Sequence, residues 1–179
     1  ELIPIVFDAL KDAGDILDVP YKLHVELDSA EFIDQDRFDV DVRIERAAGI
    51  KTERQLEVIN RDQLGTEFMW ESSPEIALVV VDSVDEAILL CNQHSPQFVA
   101  SLISQNQIEL MAFFNKINAP FVGNGMTRWV DGQYALKSPE LGLSNWENGR
   151  FLARSAILSG DGVYTTRIQM DQTKTLLTR

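Results

Sequence analysis

Cysteine is nearly absent: the 179-residue chain holds one, Cys91. One thiol forms no internal disulfide and excludes a Cys-rich zinc site. It suits a reducing compartment, so the cytoplasm is the expected location. Histidine is as scarce, with only His24 and His94. A protein-held metal normally needs three or more nitrogen, sulfur or oxygen ligands, so no metal is expected. Basic residues are outnumbered, 16 Lys and Arg against 28 Asp and Glu, for a net charge of −12. Phosphate neutralisation needs clustered Lys and Arg, which argues against a nucleic-acid partner. No apolar run reaches the roughly 18 residues of a membrane span. A signal-peptide n-region and cleavage motif are missing too.

What is present is a globular composition, 45% hydrophobic, at the length of one ordinary domain or at most two small ones. The charge is uneven. Residues 1–100 carry 22 acids and 8 bases, whereas residues 101–179 carry 6 acids and 8 bases. The densest acidic stretch runs from Glu26 to Asp41 and reads as a solvated edge. Calcium would want a D-x-D-x-D-G loop closed by a glutamate, and that loop is absent. The chain opens at Glu1, inside a periodic apolar pattern, which points to a piece of a longer protein.

Apolar periodicity orders the elements. Ile3, Val6, Phe7 and Leu10 predict a helix, with Pro4 in its first turn and Gly14 as its stop. Residues 21–27 and 38–44 alternate apolar and polar and predict strands. Residues 51–63 read as a polar, helical or irregular segment. Ile76 to Val81 is a continuous apolar run that suits a central strand buried on both faces. Asp82 or Ser83 caps the next helix, Asp85 and Glu86 sit in its first turn, and Pro96 ends it. Residues 98–103 predict a strand, 105–115 a helix and 116–122 a short strand or turn. Glycines at 123, 125, 132, 142 and 149 predict a long irregular loop, followed by a last strand over Val163–Met170. Strand–helix alternation across 70–122 implies an α/β fold with parallel pairing.

Chemistry is thin on residue types alone. Cys91 falls on the apolar side of a helix and reads as a packing thiol. His24 lies on the polar side of a strand, a surface or hydrogen-bonded position, and His94 lies near a helix end. Gly123-Asn124-Gly125 lacks the spacing of a phosphate-cradling loop. Trp70, Trp129 and Trp146 read as core or interface aromatics. No Ser/His/Asp order is present, and no catalytic residue is expected in this chain.

Several motifs carry a resemblance. Gly65-Thr66-Glu67-Phe68 precedes the strand, and Asp82-Ser83-Val84-Asp85-Glu86-Ala87-Ile88 follows it. Together they resemble the aldehyde dehydrogenase superfamily, where a glutamate-bearing turn leads into an apolar strand and then D-S-x-D/E-E-A-I. Ile117-Asn118-Ala119 and Thr127-Arg128-Trp129-Val130-Asp131-Gly132 resemble the V-N-A-S-T-R-F-x-D-G of gamma-glutamyl phosphate reductase (glutamate-5-semialdehyde dehydrogenase). Pro139-Glu140-Leu141-Gly142-Leu143-Ser144 and Gly160-Asp161-Gly162 are similar to its later motifs, and Ile3 to Gly14 to its F-L-P helix. The likeness runs in order over residues 1–168. Ser95-Pro96-Gln97 departs from it, standing where that family has S-G-H.

The resemblance implies a three-layer, Rossmann-like α/β catalytic domain, incomplete at its N-terminus, over residues 1–130. A returning C-terminal loop segment would follow over 131–160, and an oligomerisation-type final strand and tail over 161–179. It implies reduction of gamma-glutamyl phosphate to the semialdehyde with NADPH, on the route to proline. In that reaction a cysteine thiolate attacks the acyl phosphate and hydride reduces the thioester. That cysteine lies just before the opening helix, outside the chain, and Cys91 does not align with it. Glu67, with Glu71 as its rival, resembles the glutamate that holds the nicotinamide ribose of NADP. Asn118 and Arg128 resemble substrate-pocket residues, Arg128 suited to a carboxylate or phosphate. The implied partners are a small-molecule substrate, the missing N-terminal cofactor-binding part and further copies of the chain. The other reading is a stand-alone α/β binding or regulatory module with fold-level likeness only.

Overall fold

The apolar positions of the opening segment form α1, Ile3–Leu17, with Pro4 in its first turn. The computed structural model describes residues 2–66, 68, 73–97, 99–119, 121–125, 140–144, 146–147, 150–151 and 157–159. They fall into two units, residues 1–96 and 97–179.

Gly14 does not stop α1. The helix runs on to Asp18, which takes the left-handed conformation at φ 55°, and Val19 N–H closes onto the Gly14 carbonyl at 3.0 Å. Gly14 is buried, and a Cβ there would lie 2.6 Å from the Val19 carbonyl oxygen. Close backbone approach, not chain termination, is what this glycine serves.

In the first unit β1, Lys22–Glu26, lies at the centre of a parallel sheet. It is flanked by β4, Leu56–Ile59, and β5, Glu75–Leu78, in the order β4-β1-β5. The register pairs Leu23 with Leu56 and Ile76, and His24 with Glu57 and Ala77. Leu23 and Val25, both at 0% exposure, pack with Phe7, Leu10, Ile33 and Leu56. Each such fully buried side chain contributes about 1.5–3 kcal/mol. Between β1 and β4 the chain makes two 3-10 turns, Leu27–Phe32 and Gln35–Asp39. A hairpin of β2, Asp41–Arg46, and β3, Gly49–Arg54, follows. Two expectations change. Residues 51–63 are largely strand. Of the apolar run at 76–81, residues 76–78 fall in β5, an outer strand of the described sheet, and the run is only half-buried. The central, fully buried strand is β1.

Ser83 caps α2, Val84–His94, accepting from the Glu86 amide at 3.2 Å, and the helix stops before Pro96. The second unit opens with β6, Val99–Ser101, then α3, Gln107–Lys116, then β7, Phe121–Gly123. β6 and β7 pair in parallel across α3, a strand–helix–strand unit. β5 and β6 lie in separate sheets, so the parallel pairing expected across 70–122 holds only in part. Within the segment expected to be loop, β8, Glu140–Ser144, pairs antiparallel with β11, Ile157–Ser159. β9, Trp146–Glu147, pairs antiparallel with β10, Arg150–Phe151. The final strand expected over 163–170 lies outside the described residues. No helix among the described residues is long and apolar enough to cross a membrane.

Candidate functional site

Strand periodicity places Lys22, His24 and Glu26 on the face of β1 opposite Leu23 and Val25. That face is buried as well: Lys22 is 2% exposed, His24 7% and Glu26 2%. Burying charge is tolerated only when each group is paired and hydrogen-bonded, and here it is. Lys22 Nζ donates to Glu53 at 2.6 Å and to Glu57 at 2.9 Å. Arg46, at the end of β2, forks both ways. It donates to Glu75 at 2.6 and 3.2 Å, and to Glu53 at 2.8 and 3.1 Å. His24 Nε2 lies 2.7 Å from Glu75, and its Nδ1 lies 3.7 Å from Glu57. The hairpin thus reaches over the polar face of the sheet and is fastened there by Arg46 and Glu53.

Electrostatics follow from these contacts. The Arg46 guanidinium holds the Glu53 carboxyl down to about 2, against the opposition of burial and with help from Lys22. Burial pushes Glu75 up, but Arg46 and His24 outweigh it, and its carboxyl stays below the usual range. Arg46 is raised by hydrogen bonds to Glu53 and Glu75. The Glu53 and Glu75 carboxylates are thus held by internal charged partners.

Among the described residues, the Phe68 ring stacks on the His24 imidazole with centroids 3.9 Å apart and planes 2° from parallel. Phe68 follows the 3-10 segment Arg61–Gln63 and the turn at Leu64 and Gly65. Thr66 N–H in that turn donates to the Gln63 carbonyl at 3.0 Å. A Cβ at Gly65 would lie 3.0 Å from the His94 carbonyl, so the glycine lets the turn sit against the end of α2.

At the carboxyl ends of the parallel strands, where α/β proteins hold ligands, Glu26 caps the first 3-10 turn. It accepts from the Ser29 amide at 3.2 Å and the Ser29 hydroxyl at 3.0 Å. Ser29 Oγ accepts from Val80 N–H at 2.8 Å, and Arg61 reaches Glu26 at 3.3 Å and Glu86 at 3.4 Å. A separate cavity of about 330 Å³ lies beside the start of α1, walled by Ile3, Phe7, Phe32, Asp34 and Arg37. Arg37 caps it, its guanidinium 4.3 Å from the Phe7 ring centroid.

Of the residues singled out by sequence, Glu67, Glu71 and Arg128 lie outside the described residues. Asn118 is half-buried between buried Ile117 and Ala119, two residues past α3 and just ahead of β7. Cys91 is exposed rather than packed, and its thiol is pushed up by partial desolvation, the opposite of an activated nucleophile. Among the described residues no group of His, Cys, Asp and Glu could hold a metal. The charged face of β1 was missed. Its signal was present, since 22, 24 and 26 are polar at period 2, but that pattern normally marks a solvated face.

Parallel strands, with β6 and β7 joined through α3, define an α/β protein. Known sequences narrow the class further. The chain is 34% identical over 96 residues to gamma-glutamyl phosphate reductase of Listeria innocua, covering 51% of this chain and 23% of the relative. The Enterococcus faecalis gamma-glutamyl phosphate reductase is 33% identical over 96 residues, with the same coverage of 51% and 23%. That of Bradyrhizobium diazoefficiens is 29% identical over 108 residues, 60% of this chain and 23% of the relative. Over that stretch the chain is a partial homologue of the gamma-glutamyl phosphate reductase family. The matched segment spans about a quarter, 23%, of the length of these curated relatives. No family model matches the chain. No solved structure matches it.

Proposed function

We propose that the chain is the C-terminal part of an NADP-dependent acyl phosphate reductase of the gamma-glutamyl phosphate reductase type. The observation that carries this reading is the family homology over 51–60% of the chain. Its substrate would be gamma-glutamyl phosphate and its product glutamate-5-semialdehyde, in the cytoplasm, on the route to proline. The fold supports the reading at class level, through parallel strands, the capped α2 and the Phe68 ring stacked on His24 of the sheet.

In this reading Glu67 accepts hydrogen bonds from the nicotinamide ribose of NADP, with Glu71 the alternative. Asn118 and Arg128 face the substrate, Arg128 pairing with its carboxylate or phosphate. The bound cofactor would supply hydride. The chain's own residues bind and orient, while the nucleophilic cysteine and most of the cofactor site belong to an upstream part of the protein. Residues 163–170 pair with a second copy, making a homo-oligomer. Alone, the chain has no reductase activity.

The test is NADP-dependent oxidation of glutamate-5-semialdehyde by the protein carrying its upstream part. Activity is expected there and none in the 179-residue chain. Glu67→Gln should raise the KM for NADP about tenfold or more, the loss of charge-assisted hydrogen bonds to the ribose. Turnover by the 179-residue chain alone, or a Glu67→Gln enzyme indistinguishable from the parent, contradicts the corresponding assignment.

A further inference from the structure

We infer that His24 is a positioning residue: its buried ring clamps Phe68, the residue that follows Glu67 in sequence. The benefit to the cofactor rests on the role proposed above for Glu67; the clamp itself stands on geometry. His24 is 7% exposed, and its imidazole cannot turn freely, because Glu75 holds Nε2 at 2.7 Å and Glu57 faces Nδ1 at 3.7 Å. Glu75 is in turn gripped by the Arg46 fork at 2.6 and 3.2 Å, and Arg46 and Lys22 share Glu53. The ring is therefore a rigid platform, anchored from β5, β4 and the hairpin together. A histidine serving only the ion-pair network would be accounted for by Glu75 and Glu57. A phenyl ring lying 2° from parallel at 3.9 Å is outside that network and belongs to the turn.

The other end of the same turn is also tied down. Gly65 sits against the His94 carbonyl, and Thr66 N–H is bonded to Gln63. Glu67 lies in sequence between these two anchors. A carboxylate that must meet two hydroxyls in fixed geometry depends on supporting residues around it, and described neighbours of Glu67 in sequence are held in place.

Hydrogen exchange and the His24 ring-proton shifts, read by NMR on the labelled 179-residue chain, test the clamp. Phe68→Leu removes the ring without touching an ion pair. It should shift the His24 ring signals and speed exchange at Gly65, Thr66 and Phe68 about three- to tenfold, the worth of one aromatic stack. Leu23 and Val25 amides should keep their wild-type rates. Phe68→Tyr should restore both readouts, and His24→Leu, which removes the ring and its Glu75 anchor, should speed exchange at Thr66 and Phe68 as Phe68→Leu does. Unchanged exchange at Gly65, Thr66 and Phe68 in Phe68→Leu would overturn the clamp. Equal acceleration at Leu23 and Val25 would also overturn it, since the ring would then serve global stability. Neither result touches the ribose role of Glu67, which the KM of Glu67→Gln decides separately.

Discussion

Six ionisable side chains meet on one face of β1, and their stability contribution depends on staying paired. Truncating one partner strands the others in a poorly solvated site. Arg46→Met leaves Glu53 and Glu75 without their guanidinium. It should cost about 3 kcal/mol, the low end for a broken buried pair because Arg46 keeps 21% side-chain exposure. Urea unfolding at neutral pH measures this, and a loss under about 0.5 kcal/mol, the scale of an exposed pair, would contradict it. Acid has a defined sign. Glu53 titrates near 2 when folded and near 4.5 when free, so the unfolded chain binds more protons below about 4.5. Its contribution is complete above that pH and is lost as pH falls toward about 2. The urea midpoint should therefore drop between pH 5 and pH 3, and Glu53→Gln should flatten that drop. Glu75, also depressed, would keep part of the slope. Little of this was legible in sequence. His24 read as a surface or hydrogen-bonded position; it is buried and hydrogen-bonded, and its partners come from 33 and 51 residues away. An alternating strand says nothing about a hairpin folding over its polar side.

Elements with local signals were readable, and those without were not. Ser83 and Pro96 bracket α2 because a cap hydrogen bond and a missing N–H act within one turn. Asn106 likewise caps α3, accepting from Ile108 N–H at 3.0 Å. The strand β3, Gly49–Arg54, escaped notice because it is almost wholly exposed and has no apolar face for period 2 to reveal. Gly14 misled for a different reason. Glycine is the common residue just past a helix end, but here a tertiary contact with the Val19 carbonyl demands it inside the last turns. That contact reverses the usual expectation for a helical glycine. Gly→Ala in a helix normally stabilises by roughly 1 kcal/mol. Gly14→Ala should instead destabilise by about 1–3 kcal/mol, because its methyl meets backbone oxygen rather than a flexible side chain. A raised thermal midpoint for Gly14→Ala would show that the α1–Val19 corner relaxes freely.

For the whole molecule, composition sets broad bounds, and similarity to gamma-glutamyl phosphate reductases over part of the chain supports the proposed class of chemistry. Acidic charge and scarce Cys and His argue against nucleic-acid and metal chemistry, while α/β alternation anticipates parallel strands, found in two separate sheets. The motif likeness spans residues 1–168, whereas the measured similarity covers 51–60% of the chain, so the divergence is uneven along it. Catalysis was never legible as a constellation, because the residues that would perform it are proposed to lie upstream. The most direct test is the mass of the native species, detected in its cells with an antibody against this chain. A species near twice 20.2 kDa or larger is expected, as a reductase carrying its cysteine and cofactor half requires. A species of 20.2 kDa would contradict the account and leave a stand-alone α/β module of reductase ancestry.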